Sequence, residues 1–172
     1  MNDPMMELPL VINSLMATDS TYIDQLPIRE YFTEDVEFRH PLVVVNSDAN
    51  SRENMLSLYK FSKGLTWSNR IEVHQVWFHE AKKIGLVQFT QHIQPLLFPY
   101  LNVTMKTIAQ LEFRLTKDGR KWLISRLEDV IPNEDLLNAV IPHSRPFVNY
   151  FKALGGLAAV GVGSIFEKVG WC

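Results

Sequence analysis

Cysteine is almost absent. Cys172, the last residue, is the only one in a chain of 172. An internal disulfide is therefore excluded, and nothing calls for an oxidising compartment. Cys172 also stands too late for a prenylation box, which needs three residues after the cysteine. A plain surface thiol is expected, with palmitoylation as the alternative. Dense runs of one charge are missing as well. The 17 Lys and Arg are scattered among 19 Asp and Glu, for a net charge of −2. That pattern lacks the basic footprint of a nucleic-acid binder, so no nucleic-acid partner is expected. The opening Met1-Asn2-Asp3-Pro4 carries an acid where a secretory signal needs positive charge, so no signal and a cytoplasmic location are expected. No two histidines have the short spacing of a zinc motif, and the expectation is no metal and no cofactor.

What is present is hydrophobic periodicity. Leu8, Val11, Ile12, Leu15 and Met16 repeat at helical spacing within Met5 to Ala17. Asp19 or Ser20 can cap a second helix to about Phe32, made irregular or divided by Pro27. Val36 to Pro41 reads as a strand, with Val36, Phe38 and His40 on one face and Glu37 and Arg39 on the other. Residues 42–50 read as a loop. Ser51 is the expected N-cap of a helix with the stripe Met55, Leu56, Tyr59 and Phe61, ending at Gly64. Four long strands follow, over Arg70 to Glu80, Lys83 to Gln94, Asn102 to Thr116 and Lys121 to Ile131. Lys117-Asp118-Gly119 supplies hairpin-turn chemistry. The proline-bounded apolar segment Pro95 to Tyr100 reads as a pocket lip or a surface-docking element. Helices segregated to one side of a mostly antiparallel sheet make an α+β domain.

A further helix begins after Pro132. Ala153 to Phe166 then gives 14 uncharged residues, short of the ~20 a bilayer span needs. The expected division is a domain over 1–145 and an apolar, helical tail over 146–172. Two placements of the tail compete, against the sheet or in one membrane leaflet. Peripheral contact with a membrane or lipid droplet through 146–166 is the expectation. Strands apolar on both faces also need a second cover, from the tail or from a second copy in a homodimer.

The run Tyr31-Phe32-Thr33-Glu34-Asp35-Val36-Glu37-Phe38-Arg39-His40-Pro41 resembles the helix-to-strand entry of the nuclear transport factor 2-like superfamily. That superfamily includes ketosteroid isomerase and the SnoaL-like polyketide cyclases. Asn50-Ser51-Arg52, Ile71-Glu72-Val73-His74 and Leu127-Glu128-Asp129 resemble its fungal SigF-like branch, which often carries an apolar C-terminal stretch. The resemblance implies a cone-shaped fold, a curved sheet wrapped by N-terminal helices around an apolar pocket. It places His40 at the isomerases' catalytic base, just before Pro41. Their oxyanion hole does not carry over: the first helix has no Tyr, and the aligned strand position is Leu111.

The candidate catalytic residues are therefore His40, as acid or base, and Asp129, grouped on the last strand with Leu127, Ser125 and Leu123 and able to orient His40. The bland alternatives are a core histidine and a solvent-facing carboxylate. Tyr31, Phe38, Tyr59, Trp77 and His74 are the candidate pocket lining, each also readable as core aromatic or ordinary strand polar group. The expected function is a pocket for an apolar small molecule, with cofactor-independent isomerisation, dehydration or cyclisation as the reaction class. The rivals are a non-catalytic lipid or metabolite carrier at a membrane surface and a dimerising interaction module.

Overall fold

The structure, a computed structural model, describes residues 1–16, 26–98, 100–141 and 144–168. It divides into two compact units, Met1–Pro132 and Asn133–Cys172. The first contains α1 (Pro4–Met16), α2 (Leu26–Tyr31), β1 (Phe32–His40), β2 (Val43–Val45), α3 (Ser51–Gly64), β3 (Thr66–His79), β4 (Ile84–Pro95), β5 (Val103–Leu115) and β6 (Trp122–Val130). The expected cap at Asp19 or Ser20 lies outside the described residues.

The α+β expectation holds. The strands form one curved sheet in the order β2-β1-β6-β5-β4-β3. All neighbours run antiparallel except β1 and β6, which pair in parallel. One difference is local: the stretch expected to be loop contains β2, because Val43–Val45 extends the edge of β1. A second lies at α3. Asn50 takes the cap position, and Ser51 is the first helical residue. The Ser51 hydroxyl donates to the carbonyls of Asp48 (3.0 Å) and Glu34 (3.3 Å), tying α3 to β1.

The core sits between the helices and the inner face of the sheet. Leu8, Val11, Ile12, Leu15 and Met16 bury the expected stripe of α1. Val87, Phe89, Ala109, Leu111 and Leu127 meet it from the sheet, all fully buried. Each large side chain so buried contributes about 1.5–3 kcal/mol. β5 alternates cleanly, with Val103, Met105, Thr107, Ala109, Leu111 and Phe113 inward. The Lys117–Gly119 turn follows, with Gly119 at φ +69°, a region that favours glycine.

Of the register shifts in the sheet, two bear on the candidate residues. On β3, Val73 opposes Phe89 and Gln75 opposes Gln88, so His74 is the extra residue. On β6, Phe113 opposes Ile124 and Glu112 opposes Arg126, so Ser125 is extra. A bulge switches which residues face inward. Ile71 is inward before His74, whereas Val76 and Phe78 are inward after it. Trp122 and Ile124 are inward before Ser125, and Leu127 and Asp129 after it.

The second unit holds α4 (Asn133–Val140) and α5 (Arg145–Lys168). Arg145 at the start of α5 pairs with the buried Asp135 of α4 at 2.6 Å. Phe147, Tyr150, Phe151, Leu154, Leu157 and Val160 are exposed along α5. Among the described residues no helix is long and apolar enough to cross a membrane.

Candidate functional site

A cavity of about 280 Å³ opens between the C-terminal halves of α1 and α3 and the adjoining sheet. That size lies at the small end of ligand pockets, about 300–1,000 Å³. Its walls are apolar, with Leu15 and Met16 from α1, Phe38 from β1 and Leu58 from α3. Polar groups also line it: His40, Tyr59, Ser62, Lys63, Thr66, Asn69, Gln91 and Asp129.

Each polar group arrives by a local rule. His40 follows Val36 and Phe38 by strand alternation. Tyr59 lies four and three residues beyond Met55 and Leu56, on the inner face of α3. The Phe38 ring leans on Tyr59 at 5.8 Å and lies nearly parallel to the His40 ring at 6.4 Å. Asp129 reaches the cavity because the bulge at Ser125 turns it inward. Its expected neighbours on that face need correction: Leu127 shares it, but Leu123 and Ser125 do not, and Trp122 and Ile124 take their place.

Burial sets the electrostatics. Asp129 is 6% exposed, and its Oδ1 is buried with no hydrogen-bond partner among the described residues. Loss of water disfavours the carboxylate and pushes the group up to about 7. The Tyr59 hydroxyl is buried and unpartnered too. Burial, with the charge of Asp129 adding to it, raises the phenol well above its ordinary range. Burial lowers His40, so its imidazole is neutral near pH 7. Its Nδ1 accepts the Leu42 N–H at 3.2 Å. A neutral ring whose Nδ1 accepts carries its proton on Nε2. Burial also lowers Lys63, whose Nζ donates to the Ser14 carbonyl at 3.3 Å. Among the described residues no group of three His, Cys, Asp or Glu is placed to hold a metal.

Of the seven residues singled out from sequence, His40, Asp129, Phe38 and Tyr59 line this cavity. Tyr31, Trp77 and His74 do not. Tyr31 ends α2 with its hydroxyl against Glu7 of α1. His74 is the bulge residue of β3 and bonds Thr90 at 2.7 Å. Trp77 falls on the outer face, because the same bulge reverses the alternation before it. Asn69 and Gln91 were missed. The available signal was a polar residue at an inward position, Asn69 two before Ile71 and Gln91 two after Phe89.

The SigF NTF2-like domain profile matches residues 1–171. The chain belongs to that family. Solved structures agree on the fold. This SigF NTF2-like chain is similar to a protein of ketosteroid isomerase-like fold from Catenulispora acidiphila, solved with trimethylamine. The identity is 10%, the coverage 76% of this chain and 89% of that one, and the TM-score 0.59. It is likewise similar to a proposed SnoaL-like polyketide cyclase from Shewanella denitrificans (10% identity, 78% and 94% covered, TM-score 0.57). A third is AclR, a proposed hydroxylase from Streptomyces galilaeus (17% identity, 93% and 97% covered, TM-score 0.58). At these identities the likeness concerns the fold alone. No curated protein sequence matches the SigF NTF2-like chain.

Proposed function

We propose that the cavity binds an apolar carbonyl compound and moves a proton on it, in an isomerisation, dehydration or cyclisation that needs no redox cofactor. The observation that carries this reading is the convergence of Asp129, Tyr59 and His40 on one apolar enclosure, with their proton affinities set apart by burial. Groups so separated divide the acid and base roles between them. The fold is shared with a protein named as a SnoaL-like polyketide cyclase and with one named for its ketosteroid isomerase-like fold, which is consistent with this reaction class.

The roles differ from the simplest expectation for His40. Its Nδ1 is occupied by the Leu42 N–H, so the neutral ring offers Nε2–H as a donor rather than a free lone pair. Asp129, poised at about 7, suits a general base working near neutral pH. The Asp129 carboxylate takes a proton from carbon next to the carbonyl. The C–H pair moves into the enolate, and the charge develops on oxygen. The His40 Nε2–H and the Tyr59 O–H donate to that oxygen. The Tyr59 proton is retained because its phenol is raised far above neutrality. Returning the proton from Asp129 to another carbon isomerises the compound; giving it to a β-hydroxyl, which leaves as water while the enolate re-forms the carbonyl, dehydrates it; and attack of the enolate carbon on an internal carbonyl, whose oxygen takes the proton, closes a ring.

Hydrogen–deuterium exchange tests this. The protein is incubated in D2O with a panel of apolar ketones, and α-deuteration is followed by NMR. Wild type is expected to accelerate exchange of the ketones that bind, and Asp129→Asn to slow it by about 10²–10⁴-fold. Ketones that bind without exchange would leave a carrier. Exchange undiminished in Asp129→Asn would remove the base from its role.

A further inference from the structure

One polar residue of the cavity has no part in the proton transfer and none in the packing. Gln91 of β4 lies between Ile71 of β3 and Met105 of β5, both buried. It follows Val87 and Phe89 on the inner face by strand alternation, where an apolar side chain would serve the core better. Instead a half-buried carboxamide lines the cavity. Among the described residues no hydrogen bond reaches that carboxamide. Asn69, 4% exposed, lines the cavity from β3. It pairs with Ile93, two residues beyond Gln91, so the two carboxamides are diagonal neighbours on one face.

Gln91 stands well away from the reacting groups. β1 and β6 pair Arg39 with Glu128, so His40 and Asp129 follow at adjacent positions. Asp129 pairs with Ala109 of β5, and Ala109 with Val87 of β4. Gln91 is four residues further along β4 than Val87 and two strands across from β6. Strand rise and spacing put that at about 13 Å along the sheet and about 10 Å across it. The curvature of the sheet lets one cavity reach both places. A ligand that fills it touches the acid–base groups at one end and Gln91 at the other, with Leu15, Met16 and Leu58 as apolar wall.

We infer that Gln91 reads a second oxygen on the ligand, so that the site selects an apolar ketone carrying a hydroxyl or another carbonyl at its far end. This rests on the function proposed above and names its substrate class. The carboxamide both donates and accepts, so it matches either oxygen. Water satisfies it while the cavity is open. A ligand that displaces this water must replace its hydrogen bonds or lose affinity. A purely apolar ketone leaves the carboxamide unpaired and is disfavoured for that reason.

The test compares matched ketones on two rigid frames by calorimetric titration. The first pair is 2-decalone and 6-hydroxy-2-decalone, and the second is the corresponding pair built on perhydroanthracene. Wild type is expected to bind a hydroxy ketone about three- to tenfold more tightly than its plain partner. Gln91→Met, close in size and without the carboxamide, should erase that preference. Gln88→Met, on the outer face of the same strand, should keep it. Thermal melting checks that Gln91→Met folds, and the wild-type comparison stands without it. The inference is overturned if plain and hydroxy ketones bind alike on both frames, if none binds, or if the preference survives Gln91→Met. Asp129→Asn should lose α-deuteration yet keep the preference. A preference without exchange in wild type would fault the proton transfer and leave Gln91 its role, whereas exchange without a preference would do the reverse.

Discussion

Asp35 and Asp129 sit on adjacent strands of one sheet and experience opposite physics. Asp35 is on the outer face of β1, 45% exposed, and accepts two hydrogen bonds from the Arg114 guanidinium at 2.8 and 3.0 Å. That pairing holds its carboxyl below the ordinary value. Asp129 is on the inner face of β6, and burial raises it to about 7. The outer face continues in the same manner, with Arg126 at 3.4 Å from Glu112 and 2.8 Å from Glu128. Charge on that side is matched and wet. On the inner side, Asp129 is the one carboxyl among the described residues that line the cavity, and it lies there with the unpartnered Tyr59 phenol. The face a residue occupies, not its strand, decides whether a carboxylate is a surface ion or a reactive group.

The comparison can be broken at its foundation by Phe89→Ala. Phe89 is fully buried on the inner face, and its truncation should cost about 3–5 kcal/mol by urea denaturation. A loss near that of an outer-face substitution would mean the inner side is not the core.

A smaller effect separates the two carboxyls by pH. Asp129 is raised in the folded chain relative to its ordinary value of 3.8. Its folded state therefore holds the proton more tightly. The contribution to stability is full below 3.8 and is lost as pH rises to about 7. Between pH 5 and 8 the loss should be ~2–3 kcal/mol, and Asp129→Asn should abolish this slope. Urea midpoints across that range make the measurement. A slope unchanged in the variant would mean another group titrates.

The smallest effect is expected at Asp35. Its lowered value gives the opposite sign: the contribution is present above the ordinary 3.8 and is lost as pH falls through the folded value. Solvent screening at this exposed pair limits Asp35→Asn to about 0–1 kcal/mol at pH 6, and salt should reduce it further. Thermal melts at low and high salt would sharpen the contrast, since the Asp129 effect should be largely insensitive to salt.

Much of this was legible in the residues themselves. The α1 stripe, the four long strands, the Gly119 turn and the motif from Tyr31 to Pro41 are local patterns, and each follows from side-chain period or turn chemistry within a few residues. Period and turns determined an α+β chain and put His40 on one face with Phe38, while the SigF NTF2-like kind came from the resemblance of the motif and of the runs at Asn50, Ile71 and Leu127. Tertiary structure alone decided which of the remaining polar groups share the cavity. The bulges at His74 and Ser125 depend on how β3 registers with β4 and β6 with β5. An extra residue reverses inward and outward for everything after it, so Trp77 went out and Asp129 was grouped with the wrong neighbours. The donor role of the His40 ring likewise depends on where the Leu42 N–H comes to rest. Period is written along one strand, but register is a property of two.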